Sequence, residues 1–491
     1  MPRSPMLSAV RGAAVLVSLA ALGVFLWLAA ARIGYPYELE WMEGAVVAHI
    51  ARVLAHRPLY AEPTVAHVAL IYPPLYFEVS AWVSRALGEG FVAPRLVSSL
   101  ATLGVFALLG ARLWRLTRDP ALAVLAAGLY ASAYAATGYW FDLARIDALF
   151  VFFLAAGVEV FESNARPAGS ALASALFLAA FLTRQTALGY ALPVIALGFT
   201  AARRHAAMTL CLTLSAAAAS VFYLHASTDG WSTEFLFNIP RAHAFEPALW
   251  WGYWRHDLGP SLGLGALVLG LGLRLGGSRA EAARVGVTVL AFWVVTWFSR
   301  LHSGGYVNTL MPSFWVMAWA VPWALCALGR AQGRNALRSL AWALAVIQLG
   351  AALRDPRGQR PSDADRRVGD QFVALLRATP GPVFVPSHPT LARLAGKGEG
   401  LHLMALRDVF RAPSSRAQAP LGRALQAALG GRVFALVLLD EPLVPGFERH
   451  YTLARPLLTR SAAFYPVTGY RTRPRAMYVP LSAPPGPRGR P

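Results

Sequence analysis

The chain has 491 residues, of which 56% are hydrophobic and only 14% are charged, and its mean hydropathy is +0.46. Soluble domains carry about a quarter charged residues, so these figures exclude an ordinary soluble enzyme as well as a disordered or fibrous protein. The net charge is +20, but most arginines lie between hydrophobic segments instead of on one soluble face, which argues against a nucleic-acid-binding protein.

Apolar segments follow one another through the first 350 residues and predict a polytopic helical membrane protein. A helix needs about 20 predominantly apolar residues to cross the hydrocarbon core. The first apolar stretch is too long for a cleavable signal peptide and has no convincing cleavage site. Eleven spans are predicted, at residues 12–31, 92–114, 121–139, 147–161, 169–183, 186–201, 207–226, 258–275, 285–299, 309–328 and 336–352.

The orientation follows from the arginines in the short loops. Alternate loops are basic, as with Arg112, Arg115 and Arg118, whereas the other loops carry acids and aromatic residues. Because basic loops stay on the cytoplasmic side, the N-terminus is predicted inside and, after eleven spans, the C-terminus outside. The predicted location is a bacterial inner membrane, with the large outer segments facing the periplasm.

The first outer segment, residues 33–91, contains three carboxylates at the start of a predicted interfacial helix, residues 40–56. Glu40 and Glu43 are three residues apart and are predicted to be neighbours on one helical face. Two close carboxylates raise each other's pKa, and one can act as a base at neutral pH. The alternative is that acids at this position only complement the helix dipole.

A second string follows about thirty residues later, Ile71-Tyr72-Pro73-Pro74-Leu75-Tyr76, and opens another apolar helix. An acidic pair after the first span, a short turn containing Arg57 and then a Pro-Pro-Leu string resemble the layout of GT-C fold glycosyltransferases. The resemblance is strongest to family 39, which includes protein O-mannosyltransferases and the aminoarabinose transferase of lipid A. It covers the N-terminal two-thirds in layout and only these strings in sequence.

The resemblance implies a polyprenyl-phosphate sugar as donor and a carboxylate as general base. The family has Asp-Glu, often followed by Gly, where this chain has Met42-Glu43-Gly44. The match therefore falls on Glu43, while Glu40, one turn earlier, is the other candidate for the base.

A second polar cluster, from Tyr139 to Asp147, lies at the outer mouth of the third and fourth spans. Asp142 and Arg145 can pair along a helix that Asp142 caps, which is the structural interpretation. Charged groups that enter a span are costly unless they face a wet cavity, which favours a role in the site. In GT-C enzymes this region also faces the active site.

Arginines at the outer ends of spans are unexpected, and Arg184 and Arg300 are the clearest cases. A guanidinium binds phosphate oxygens through parallel hydrogen bonds, as a lipid-phosphate donor would require. The alternative is snorkelling to the headgroups. The turn that follows Arg300 resembles a loop of related membrane glycosyltransferases. Predicted substrate-binding residues are Tyr72, Arg145, Arg184, Arg300, His302, Tyr306 and Asn308.

Residues 354–491 differ in character from the membrane module, residues 1–353. The apolar runs shorten to strand length at residues 382–385 and 433–439, with helical patterns at residues 368–378 and 421–429. This pattern predicts an outer α/β domain that ends in a disordered Pro/Arg-rich tail.

The sequence thus favours an inverting glycosyltransferase that moves a sugar from a polyprenyl-phosphate donor to a glycolipid, polysaccharide or protein. Glu43, Glu40 and Asp142 are the candidate catalytic residues. A lipid-linked sugar flippase, a polysaccharide polymerase or ligase, and a receptor are the alternatives, and the lack of an internal repeat argues against a transporter. No cofactor is certain, but a divalent cation is possible if the three carboxylates converge. The oligomeric state stays open.

Overall fold

Apolar α-helices make up most of the protein. A computed structural model describes residues 5–276, 278–330, 335–443 and 446–481. Its helices are α1 (Pro5–Arg32), α2 (Glu43–Leu54), α3 (Leu75–Leu87), α4 (Val92–Thr117), α5 (Pro120–Ser132), α6 (Asp147–Ser163), α7 (Pro167–Thr183), α8 (Ala187–Gly198), α9 (Arg203–Ser227), α10 (Trp231–Thr233), α11 (Ile239–Ala242), α12 (Pro247–Gly252), α13 (Gly259–Leu275), α14 (Arg279–Leu301), α15 (Met311–Arg330), α16 (Asn335–Ala352), α17 (Asp363–Ala378), α18 (Pro389–Leu394), α19 (Leu403–Phe410) and α20 (Gln418–Gly430). Short π-helical turns follow α10 and α12, and a 3₁₀ turn precedes α15.

Each of the eleven predicted spans contains one of these helices, and the chain is a membrane protein of the predicted helical class. Within the described residues, six helices are long and apolar enough to cross a membrane by themselves, or up to seven if one bent pair counts as a span. Helices α5, α7 and α8 are apolar but shorter. The number of eleven spans therefore stays a prediction.

Helix α15 lies at the centre of the helical bundle. In the most apolar stretch of this helix 94% of the residues are buried, whereas in that of α9 only 17% are buried. Helix α1 packs against α5 and α16, and α6 packs against α7. At the end that we predict to be cytoplasmic, Arg112 of α4 forms ion pairs with Glu159 (2.5 Å) and Glu162 (2.6 Å) of α6. Without these pairs, the charges would be buried between the two helices with no partner.

The interfacial helix is shorter than predicted. Helix α2 begins at Glu43 and not at Glu40, so the two carboxylates are not neighbours on one helical face. Glu40 lies in the turn before the helix, where its carbonyl accepts the backbone N–H of Glu43 (3.0 Å). The i, i+3 interpretation was therefore wrong, because Glu40 lies outside the helix and pairs with a different arginine from Glu43.

The C-terminal region, residues 363–481 in the structure, combines helices with a small sheet as predicted. Its strands are β1 (Val383–Phe384), β2 (Leu436–Leu439), β3 (Tyr451–Pro456) and β4 (Ala476–Pro480), in the order β1-β2-β4-β3. Strand β1 is parallel to β2, and the other pairs are antiparallel. Helix α17 opens with a capping box formed by Ser362 and Asp365. The predicted disordered end, residues 482–491, lies outside the described residues.

Candidate active site

A large cavity lies where loops at one end of the membrane helices meet the C-terminal region. Its volume is about 850 Å³, within the range of sites that hold small molecules and cofactors. Its walls come from the segment between α1 and α2, the loop before α6 and the break between α7 and α8. The end of α14, the segment that follows it and α19 complete the walls. Seven of the predicted site residues line it: Glu40, Tyr72, Arg145, Arg184, His302, Tyr306 and Asn308.

Glu40 forms an ion pair with Arg145 inside this cavity. The carboxylate lies 3.1 Å from Nη1 of Arg145, and Nη2 of the same guanidinium donates to the hydroxyl of Tyr72 (3.1 Å). Glu40 is 1% exposed, and burial raises its pKa to about 7 although Arg145 opposes this effect. A carboxyl group with this pKa exchanges protons readily at neutral pH, as a general base must.

Glu43 is held in a different way. Arg95 donates from Nε (3.0 Å) and Nη2 (2.7 Å) to its two oxygens, and the backbone N–H groups of Leu39 and Ala144 donate to them as well (2.7 Å each). Burial opposes ionisation of Glu43, but Arg95 and these N–H groups outweigh it and lower its pKa. With four donors and no contact with the cavity, Glu43 fixes the fold of the loops around Glu40.

Asp142 also lies behind the cavity wall. It accepts a hydrogen bond from the hydroxyl of Tyr134 (2.5 Å) and lies 3.3 Å from Nη1 of Arg32. The expected Asp142–Arg145 pair and the helix cap are both wrong, because Arg145 turns to Glu40 and α6 begins at Asp147. The backbone of this loop is not helical between the two residues, so they do not share a helical face.

Asp147 organises the part of the cavity that contains Arg184. Its carboxylate accepts from Nη1 of Arg184 (2.6 Å), Nδ2 of Asn308 (2.9 Å) and Nε1 of Trp140 (3.0 Å). We did not single out this residue as a site residue from the sequence. The signal was present, since an acid at the first position of an apolar span requires a partner.

Arg300 does not line the cavity. Its Nε donates to Asp257 (2.9 Å), and its Nη1 donates to the carbonyl of Gly305 (2.6 Å). Arg300 therefore holds the turn that presents His302 and Tyr306, while both of those side chains do line the cavity.

The C-terminal region supplies cavity residues that the sequence did not indicate, above all Asp408 of α19. This carboxyl group is 2% exposed, and its Oδ1 has no hydrogen-bond partner among the residues that the structure describes. It lies 3.7 Å from Nε2 of His243. Burial raises the pKa of Asp408 to about 7, against the charges of Arg411 and Arg145. The cavity thus contains two buried carboxyl groups that titrate near neutrality.

The three predicted carboxylates do not converge on a metal site. Glu40, Glu43 and Asp142 each face a different arginine. In the described part of the chain, no group of three or more His, Cys, Asp or Glu side chains is arranged to hold a metal ion.

The global fold has well-matched structural neighbours. The crystal structure of ArnT from Cupriavidus metallidurans bound to undecaprenyl phosphate superposes with a TM-score of 0.60 at 12% identity, covering 96% of this chain and 98% of that one. The apo state of the same protein gives a TM-score of 0.58 at 14% identity with the same coverage. The chain has the GT-C fold of ArnT. No protein-family model and no curated protein sequence matches it.

The match includes the C-terminal region as well as the membrane helices, since it extends over nearly all of both chains. At this level of identity the likeness establishes the fold alone, so the role of each cavity residue must be argued from its own contacts.

Proposed function

We propose that the protein is an inverting glycosyltransferase of the bacterial inner membrane that takes its sugar from a polyprenyl-phosphate donor at the periplasmic face. The observation that carries this proposal is the position of Glu40. Its carboxyl group has a pKa of about 7 and lines a cavity of about 850 Å³ together with five arginines, among them Arg145 and Arg184, in a chain with the ArnT fold. The acceptor would be a hydroxyl group of a glycolipid, polysaccharide or protein.

The donor phosphate is proposed to bind between Arg145 and Arg184. Both guanidinium groups line the same cavity, and the ArnT of C. metallidurans was crystallised with undecaprenyl phosphate. An apolar groove of about 820 Å³ between α7, α8 and α9 shares Phe237 with the cavity. A polyprenyl chain in this groove would bring its phosphate to the arginines from the side of the membrane.

In the proposed reaction, the acceptor oxygen attacks the anomeric carbon while the bond from that carbon to the phosphate oxygen breaks. The acceptor proton passes to the carboxylate of Glu40, and the polyprenyl phosphate leaves with the bonding electron pair. Arg145 and Arg184 stabilise the charge that grows on the phosphate. A single displacement of this kind inverts the anomeric configuration, because no covalent sugar intermediate forms.

The two steps of the proposal are tested separately with the purified protein in nanodiscs. Binding is measured with undecaprenyl phosphate alone. Transfer is measured with a panel of undecaprenyl-phosphate monosaccharides labelled in the sugar, with membranes of a deletion strain as the source of acceptor. We expect binding of undecaprenyl phosphate and transfer from at least one donor of the panel. A protein that moves labelled donor across a bilayer without cleaving it would instead be a flippase.

A further inference from the structure

The segment between α1 and α2 that carries Glu40 is held mostly by contacts from the C-terminal region. We call residues 37–42 the Glu40 segment. The hydroxyl of Tyr37 donates to Asp370 (2.6 Å), the backbone N–H of Thr468 donates to the carbonyl of Leu39 (3.2 Å), and Nε2 of His402 donates to the carbonyl of Trp41 (3.0 Å). Residues more than 300 positions away therefore determine where this segment lies.

The strongest of these contacts is a buried group of three ionisable side chains. Nδ1 of His388 lies 2.7 Å from Oε2 of Glu38, and its Nε2 lies 3.0 Å from Oδ2 of Asp440. A neutral imidazole donates from only one nitrogen, so contacts with two ionised carboxylates require the doubly protonated ring. Burial disfavours that charge, but Asp440 and Glu38 outweigh it and raise the pKa of His388 to about 10. His388 is thus a cation throughout the physiological range.

The packing around this group leaves little freedom for the segment. A Cβ atom added to Gly44, in the first turn of α2, would collide with the side chains of Glu38 and Thr390. Gly469 has a φ of +77°, and a Cβ there would lie 2.8 Å from Cγ of Glu40. Both glycines thus permit the close approach of the C-terminal region to the two sides of the Glu40 segment.

We propose that His388 is a positioning residue, whose cationic ring ties Glu38 to Asp440 and thereby holds the carboxylate of Glu40 against Arg145. The inference rests on the proposed role of Glu40 as the base. His388 does not line the cavity and acts only through the chain between Glu38 and Glu40. Without the cation, Glu38 and Asp440 are left as two buried carboxyl groups that repel each other when both are ionised, and the segment loses its tie to the C-terminal region.

The variant His388→Gln tests this in the full-length protein. We expect amide hydrogen exchange in residues 37–43 to increase by about tenfold or more, because Leu39, Met42 and Glu43 all donate within this turn. We expect kcat to fall by roughly 10- to 100-fold, with the KM for the donor nearly unchanged, since a small displacement of the base affects the chemical step and not phosphate binding.

The pH profile separates positioning from stability. The charged groups that face Glu40 are Arg145, Glu43 and Asp147. Those that face His388 are Glu38 and Asp440. His402 lies nearby but is neutral, because burial lowers its pKa to about 3. If Glu40 moves away from Arg145, its carboxylate loses the nearest cation and its pKa rises. The pKa read from the acid side of the kcat–pH profile should therefore increase by about half a pH unit or more in His388→Gln. A lower melting temperature with unchanged exchange, pH profile and kcat per folded molecule would overturn the proposal.

Two further variants keep the test decisive. Adding Glu38→Gln to His388→Gln removes the repulsion and should restore at least part of kcat, and Glu38→Gln alone serves if His388→Gln does not fold. The matched control is His205→Gln, a buried histidine of α9 that contacts Ser170 and the carbonyl of Phe161 (2.6 and 2.9 Å), for which we expect unchanged exchange in residues 37–43. If Glu40→Gln retains full turnover, the proposed function fails, and the exchange measurement still reports on His388.

Discussion

Arg95 donates to both carboxylate oxygens of Glu43, at 3.0 and 2.7 Å. Glu43 is the acid at which the sequence matches the family 39 pattern. Two backbone N–H groups complete the coordination of this carboxylate. A group with four donors and a lowered pKa is a poor proton acceptor, because each donor stabilises its ionised form. Glu40, three positions earlier, pairs with one arginine, has a raised pKa and lines the cavity. The two acids therefore have separate roles.

Arg184, which lines the cavity, and Arg300, which does not, are expected to differ in their effect on donor binding. Arg184→Ala should weaken binding of undecaprenyl phosphate by roughly 10- to 150-fold, which corresponds to the loss of a charge-assisted hydrogen bond of about 1.5–3 kcal/mol. Arg184→Lys should recover only part of this affinity, because an ammonium group offers a point charge in place of a planar fork. Arg300→Ala is the matched control, and its smaller effect should come from the released Gly305 turn. Equal affinity of all three variants and the parent would indicate arginines that only snorkel.

The topology is tested by reporter fusions along the chain. Fusions after Arg118, Arg204 and Arg338 should report the cytoplasm, and fusions near Ala66 and Ala405 should report the periplasm, because the basic loops alternate with acidic ones. The short helices α7 and α8, which meet at Arg184, are the point at which the count is most sensitive. A cytoplasmic signal near Ala405 would show that these two helices do not each cross the membrane.

The sequence predicted the elements well where a pattern is local. An apolar run has the same meaning wherever it occurs, so every predicted span contains a helix, and the strands at residues 383–384 and 436–439 were expected from their short apolar runs. The cavity residue Arg184 was predicted for a related reason, because a polar group at the end of an apolar span requires a special environment. Tyr72 and Asn308 were instead predicted from short strings that resemble those of membrane glycosyltransferases.

The pairing of charges was not predictable in this way. Helical spacing suggested that Glu40 would lie beside Glu43, but an arginine 105 residues further along the chain draws Glu40 into the cavity. The contacts of Asp408 and His388 with the membrane module also depend on how the C-terminal region docks, which no local pattern records. Tertiary contacts between distant segments therefore decided which carboxylate faces the cavity.

The pH dependence of turnover should follow the ionisation of Glu40. A base must be deprotonated to act, so kcat should be constant above its pKa of about 7 and fall about tenfold per pH unit below it. Asp408 titrates in the same range, and Asp408→Asn shows whether it contributes to the limb. The contribution of Glu40 to the stability of the fold changes with pH in the opposite direction to turnover. Because folding raises the pKa of Glu40 above 4.5, its contribution to stability is lost as the pH rises from about 4.5 to about 7. A rate that is flat between these values would contradict Glu40 as the base.

The most direct test compares three isosteric substitutions in the first outer segment. Glu40→Gln should reduce sugar transfer by roughly 10²- to 10⁴-fold, the usual contribution of a general base, while undecaprenyl phosphate still binds. Glu43→Gln should act mainly on stability, at a cost of about 3–5 kcal/mol, because it leaves Arg95 as an uncompensated buried charge. Glu38→Gln should lose less turnover than Glu40→Gln, since Glu38 does not line the cavity and acts only through the position of Glu40.

The measurements for this comparison are transfer of labelled sugar in nanodiscs, binding of undecaprenyl phosphate and the melting temperature of each variant. Turnover is expressed per folded molecule, so that the expected instability of Glu43→Gln is not mistaken for lost chemistry. If Glu43→Gln folds like the parent and is the inactive variant, the base is Glu43, and the four hydrogen bonds to its carboxylate must rearrange when the acceptor binds. If all three variants turn over like the parent, none of the first-segment carboxylates takes the proton, and the proposed reaction loses its base.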